Sequence, residues 1–303
     1  FQQEDYTGLD VVIACAKHLI AGSEPVNGLN FSPMDISERN LREIYLKPYQ
    51  RAVDAGVYSM MSAHHEINGV PCVMNDYLMN TIVRDEYGFE GFFVSDWLDI
   101  ERLADLHRVA KDLDEASALA VNAGTDMHMH GPDFLESVLK GNEAGVIPTE
   151  RIEDACRKIL FAKFKLGLFE NPYIDLSTVE EKIFTEAHQE TALEMARKSI
   201  VLLKNDGILP FKAEKQKILV TGPNAHNNTI LGDWALAQPE ENVTTVYEGI
   251  QALGEFYGHK VEFHDSNEDM RNISDLDIKK AVKKAKNYDS IFLVIGDNSM
   301  RHL

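Results

Sequence analysis

From residue 10 to residue 167, short apolar runs and stretches of helical periodicity take turns along the chain. The run DVVIACAKH (10–18) is almost continuously apolar, as a parallel strand covered on both faces is. After Ser37, a residue suited to an N-cap, Leu41, Ile44, Tyr45, Tyr49, Ala52 and Val53 recur at helical spacing, and Gly56 ends the pattern. The spacing then predicts a strand at 57–65, a helix at 75–87, a strand in GFFVSD (91–96) and a helix at 112–123. TDMHM (125–129) reads as a short fourth strand, followed by helices at 132–145 and 149–166 that Gly167 closes. Strict alternation of this kind predicts parallel β/α units.

Around Pro172 the pattern changes. Residues 173–212 hold one helix, at about 185–198, and then SIVLLKNDGILPF, broken by a turn at Asn205-Asp206-Gly207. A second series follows: a strand from Lys217, a helix at 245–257, the strand KVEFH, a helix at 275–286 and the strand SIFLVIGD. That order opens a mostly parallel, doubly wound sheet. Its Gly222-Pro223-Asn224 turn lacks the glycine spacing of a dinucleotide site, so no such cofactor is expected. The division expected is 1–172, a linker at 173–212, and 213–303.

A net charge of −19 argues against a nucleic-acid partner, whose phosphates require clustered Lys and Arg, and it suits a neutral substrate such as a sugar. No apolar stretch is long enough to span a membrane, so insertion is not expected. Of the three cysteines, Cys15 and Cys156 fall within apolar patterns and are expected to be buried thiols. The chain opens at Phe1-Gln2-Gln3 and stops after Met300-Arg301-His302-Leu303, which reads as a fragment; nothing in it indicates an oligomeric state.

The strand ends carry the chemistry. In parallel β/α barrels, residues at the carboxyl ends of the strands line the active site. Here those ends read Lys17-His18, Ser62 to His65, Ser95-Asp96-Trp97 and Asp126 to His130. The plain reading of the third makes Ser95 or Asp96 a helix cap and Trp97 a core residue. The alternative presents Asp96 as a carboxylate beside an aromatic platform. Four polar strand ends in succession favour the alternative, because buried unpaired polar groups are costly. A carboxylate can act as nucleophile, acid or base at an acetal carbon.

Taken together, ACAKHLIAG, DISERNLREIYLKPY, MSAHHEINGVPC, GFEGFFVSDW, KFKLGLFENPY, SIVLLKNDGILPF, GDWALAQPEENVTTVYEGI and IFLVIGDNSMR resemble glycoside hydrolase family 3, in particular its two-domain β-glucosidases. The resemblance implies the C-terminal part of a (β/α)8 TIM-like barrel followed by the start of an α/β sandwich. It implies a retaining, exo-acting β-glycosidase acting on a β-glucoside or β-linked oligosaccharide, with Asp96 as the nucleophile that forms a covalent glycosyl-enzyme. Lys17 and His18 would hydrogen-bond sugar hydroxyls, Trp97 would wall the sugar site, and His64 takes a position that is often aromatic. No cofactor is implied, and export to the periplasm or beyond is a habit of the family. GLNFSPM lacks the Arg-Asp-Tyr arrangement common before DIS, and HLIAGSEPVNG lacks the Asp-His dyad of the N-acetylglucosaminidase branch.

The acid/base of such enzymes is a Glu soon after the segment resembling VIGDNSMR, hence beyond Leu303; Glu66, Glu101 and Glu240 are the alternatives within the chain. With four barrel-type strands instead of eight, the chain by itself is expected to be poorly soluble and inactive on aryl β-glucosides. Two competing readings stand beside the glycosidase. His128-Met129-His130, with both imidazoles on one strand face, could join His64, His65 and Asp96 in a metal-dependent hydrolase. A sugar-binding relative without catalysis is the other.

Overall fold

The computed structural model describes residues 2, 8, 11–211, 214–232, 235–236, 238–266 and 272–296. The chain divides into two compact units, 1–185 and 186–303.

In the first unit, β1 (Cys15–Leu19), β2 (Ser59–Ser62) and β5 (Phe92–Val94) form a parallel sheet in the order β1-β2-β5. Ser59 pairs with Cys15 on one side and Phe92 on the other, which brings the three strand ends to one side of the unit. All four residues of β2 are buried, as the middle strand of a covered sheet requires. Gly91 leads into β5 where any Cβ would strike the Tyr58 carbonyl, so a side chain there would push β5 off β2.

Helices cover the sheet. A helix over 38–54, α1, starts under the Ser37 hydroxyl, which accepts the Asn40 N–H at 3.2 Å, and passes through a π-type stretch at Leu41–Tyr45. The second helix, α2 (Tyr77–Glu86), is π-type throughout. Leu46, Leu78, Met79 and Ile82 from these helices pack on Leu19, Met60 and Phe93 of the sheet. Then come α3 (Asp99–Asp105), α4 (Leu113–Asn122), α5 (Phe134–Glu143) and α6 (Thr149–Lys165). A small antiparallel hairpin, β3 (Glu66–Ile67) with β4 (Val70–Pro71), turns at Asn68-Gly69, both at positive φ. Asn-Gly is the residue pair that such a turn favours, a signal present in MSAHHEINGVPC.

Three expectations need correction. The run at 10–18 is a strand only from Cys15, with Leu19 its single buried residue, because β1 lies at the edge of the sheet; residue 10 lies outside the described residues. TDMHM is not a strand: Met127 makes an isolated bridge to Val94. The Phe93 N–H, which a strand carbonyl would take, goes at 2.9 Å to the inward-turned Asp126 carboxylate. Cys15 and Cys156 are exposed, one on the edge strand and one on the outward side of α6. Cys72 is the buried thiol, and burial pushes its pKa up to about 12.

The second unit begins with α7 (Glu186–Ser199), preceded in the chain by an unforeseen short helix at Val179–Lys182. Its sheet is parallel, with β6 (Lys217–Thr221) between β7 (Lys260–His264) and β8 (Ser290–Leu293). The connecting helices α8 (Val246–Tyr257) and α9 (Asp275–Ala285) each start with a reciprocal cap, Thr245 with Glu248 and Ser274 with Asp277. Ile218 and Val220 of β6 pack with Phe211, Tyr247, Val261 and Phe292. The expected strand continues past β8, but residues 294–296 are not strand, and Asp297 and the NSMR motif lie in 297–303, outside the described residues. Among the described residues no helix is long and apolar enough to cross a membrane.

Candidate active site

The abrupt end of β5 has a local explanation. Ser95 is fully buried and ties the strand to the following segment: its N–H donates to the Met127 carbonyl at 2.9 Å and its hydroxyl accepts the Met129 N–H at 3.0 Å. Asp96 Oδ1 accepts the Trp97 N–H at 2.7 Å. Neither side chain caps α3. That helix starts from Leu98, at φ 59°, with no side-chain cap. The left-handed turn sends Trp97 outward, 50% exposed, and stacks it on His130 at 3.8 Å between ring centroids and 15° between planes. Trp97 is therefore not a core residue.

Asp96 itself is 8% exposed. Its Oδ2 faces two imidazoles from the neighbouring strand ends, His64 Nε2 at 3.2 Å and His18 Nε2 at 3.4 Å. Burial, and after it the charge of Lys17, lower the His18 pKa from the ordinary histidine value. Lys17 is exposed and makes no ion pair with Asp96 among the described residues. The structure thus brings Asp96, Trp97, His18 and His64 together and leaves Lys17 at the rim.

Behind His64 lies a set of residues that sequence reasoning missed. Its Nδ1 is 2.5 Å from Asp99 Oδ1, and Asp99 is 2% exposed. Arg102 Nη1 lies 3.4 Å from the same carboxylate oxygen and also donates to the Trp97 carbonyl. The guanidinium sits 4.3 Å over the Phe31 ring, which packs against His64 at 4.6 Å. His107 Nε2 meets the His64 carbonyl at 3.1 Å. Asp99 and Arg102 follow Asp96 at steps of three, one face of a helix, so a helix assigned at 99–105 would have drawn attention to them.

Two expected ligands or linings lie elsewhere. Asp126 does not line the site: its carboxylate is fully enclosed and bound by Arg84 at 2.7 Å, Arg151 at 2.8 Å and Lys158 at 3.6 Å. The HxH pair does not converge, because its backbone is not a strand. His128 turns to Glu101, at 3.2 Å, and stacks on Phe134, while His130 stacks on Trp97. His65 is fully buried, and burial lowers its pKa. Among the described residues no group of three or more His, Cys, Asp or Glu is arranged to hold a metal ion. Of the alternative acids, Glu101 is engaged by His128 and Glu66 lies in β3; the Glu240 side chain lies outside what the structure describes.

The class this defines is a parallel β/α protein with an acidic site at the strand ends. Residues 2–162 match the glycosyl hydrolase family 3 N-terminal domain and residues 200–302 its C-terminal domain. The chain belongs to glycosyl hydrolase family 3. It is 38% identical to a β-xylosidase of Formosa agariphila, over 95% of this chain and 42% of that protein. It is 32% identical to a periplasmic β-glucosidase of Salmonella typhimurium, over 95% of this chain and 40% of that one. Among solved structures, a β-glucosidase of Listeria innocua in complex with glucose superposes with a TM-score of 0.85 at 30% identity, over 98% of this chain and 41% of that one. The chain therefore spans about two-fifths of the length of the curated relatives it matches.

Proposed function

We propose that this chain carries the sugar-binding half of a retaining, exo-acting β-glycosidase, with Asp96 as nucleophile. The observation that carries the reading is the geometry of that carboxylate. One oxygen is held by a backbone N–H, the other faces two imidazoles, and an exposed indole stands beside it. In the first step Asp96 Oδ2 attacks the anomeric carbon and the bond to the leaving oxygen breaks, with a proton supplied by a second carboxyl group. In the second, water attacks the same carbon, loses its proton to that group and releases Asp96. We assign the second carboxyl to a glutamate C-terminal to the segment 297–301. His18 and Lys17 would bind hydroxyls of the terminal sugar, His64 would adjoin it, and Trp97 would pack on its apolar face.

The substrate favoured is a terminal, non-reducing β-D-glucosyl residue, the bound glucose of the Listeria innocua relative being the support. A β-xyloside is the second reading, favoured by the name of the Formosa agariphila relative. A periplasmic or secreted location is proposed from the Salmonella typhimurium relative. The test uses the chain extended to the length of its relatives and a 2-deoxy-2-fluoro-β-glucoside, which traps the glycosyl-enzyme for mass spectrometry. The label should fall on Asp96, and Asp96→Asn should abolish labelling and nearly all turnover while the fold persists. A label on another carboxylate, or substantial turnover by Asp96→Asn, defeats the assignment. Comparing kcat/KM for aryl β-glucoside and aryl β-xyloside decides between the two sugars.

A further inference from the structure

We propose that Asp99 is a positioning residue that acts through His64 to orient the Asp96 carboxylate, in a line Asp99–His64–Asp96. The proposal rests on Asp96 being the nucleophile, and it concerns what holds that nucleophile in register.

The argument starts from what a carboxylate needs in order to attack a carbon in one direction. Asp96 has two side-chain torsions left once its backbone is set, and the Trp97 N–H holds one of its oxygens at 2.7 Å. The other oxygen is free to swing unless donors hold it. His64 is the closer of its two imidazole neighbours and the more enclosed, with 13% of its side chain exposed against 42% for His18. A ring can hold an oxygen only if the ring is itself held. Phe31 packs against it at a tilt of 44°, but an apolar contact gives neither ring nitrogen a fixed partner. The nearest polar partner that fixes the ring is Asp99 Oδ1, 2.5 Å from Nδ1, the nitrogen that does not face Asp96, with Arg102 Nη1 further off at 3.4 Å.

Asp99 is well placed to serve as an anchor. It stands on the first turn of α3 with 2% exposure, fixed by a helix whose Ile100 and Leu103 are fully buried. Arg102, one turn on, approaches the same oxygen and grips the Trp97 carbonyl, so anchor and nucleophile loop are braced by one guanidinium. Asp99 Oδ2 has no hydrogen-bond partner and is buried. Burying a half-satisfied carboxylate costs stability, and the favourable effect of an acid on a first turn does not require that it be buried. Its one strong contact is with the ring that holds Asp96. The proton count agrees: between two carboxylates the ring is bonded at both nitrogens either as a doubly protonated imidazole that donates twice, or with Nε2–H donating to Asp96 and Nδ1 accepting a proton carried by Asp99. In either state the ring is clamped at both ends.

The test is made on the chain extended to its relatives' length, reading kcat, KM and the rate at which the 2-deoxy-2-fluoro-β-glucoside labels Asp96. Asp99→Asn should lower kcat and the labelling rate about tenfold or more, with KM within about twofold, because the sugar contacts are untouched and only the attack is misaligned. In a His64→Phe background, which keeps a ring against Phe31, Asp99→Asn should cost little further. If Asp99→Asn fails to fold, His64→Phe alone carries the test through the same labelling rate. Labelling by either single variant at the wild-type rate overturns the proposal, as do losses that multiply independently in the double variant. A wild-type label on a carboxylate other than Asp96 overturns the nucleophile assignment as well, which separates the two failures.

Discussion

Leu98 shows how much a single residue can decide. An L-residue at φ 59° sits in a region that costs roughly 1–2 kcal/mol, and a branched side chain gains nothing there. Without that turn, α3 would continue from the strand and Asp96 would become the cap that the plain reading of the sequence expects. With it, the indole turns out to solvent and Asp99 turns inward. On the proposed reading Trp97 would serve as a wall of the sugar site, contributing contact area and positioning. Trp97→Ala should lower kcat/KM about tenfold, the equivalent of roughly 1.4 kcal/mol of transition-state binding, and Trp97→Phe should lower it less. Thermal melts should be nearly unchanged for both. Equal losses from the two variants would mean that the ring does nothing at the sugar.

Between elements, the Asp126 cluster does the joining. Its carboxylate accepts the Phe93 N–H of β5 and binds Arg84 of α2 together with Arg151 and Lys158 of α6. Arg151 reaches further, to the carbonyls of Val121 and Thr125 at 2.8 and 2.9 Å. Removing the anion leaves Arg84 with backbone carbonyls alone and Arg151 and Lys158 with only Asp154 for an ion pair, so Asp126→Ala should cost about 3–5 kcal/mol, read as a lower urea midpoint. A shift under about 1 kcal/mol would show that water reaches the cluster. In the sequence, Asp126 and Asp96 looked alike, two acids at strand ends. What separates them is whether cations from other helices arrive, and no local pattern carries that. Ser37, Gly56 and the helix at 149–165 were legible because caps and 3.6-residue periodicity act over a few residues. The Asp99–His64 contact spans 35 residues and forms only after β2 and β5 are in register.

At the scale of the whole molecule, the parallel sheets and the glycosidase family were legible from the order of apolar runs and from the strand-end motifs. The edge position of β1 was not, since an apolar run says nothing about how many neighbours a strand has. Several large apolar side chains stay in water, among them Leu160, Phe161 and Phe164 of α6 and Phe169 beyond it. Contiguous apolar surface of this kind drives association. The 303 residues alone should sediment as mixed oligomers, and the chain extended to its relatives' length should not; a monodisperse short chain would count against this. The two sheets also differ in how they can be assembled during synthesis. In the first, β1, β2 and β5 leave the ribosome in the order in which they lie side by side, so each new strand finds a finished edge. In the second, the middle strand emerges first. Ile218, Leu219 and Val220 must therefore wait, unpaired, until Lys260–His264 has been made, and a holdase chaperone has that interval in which to bind them.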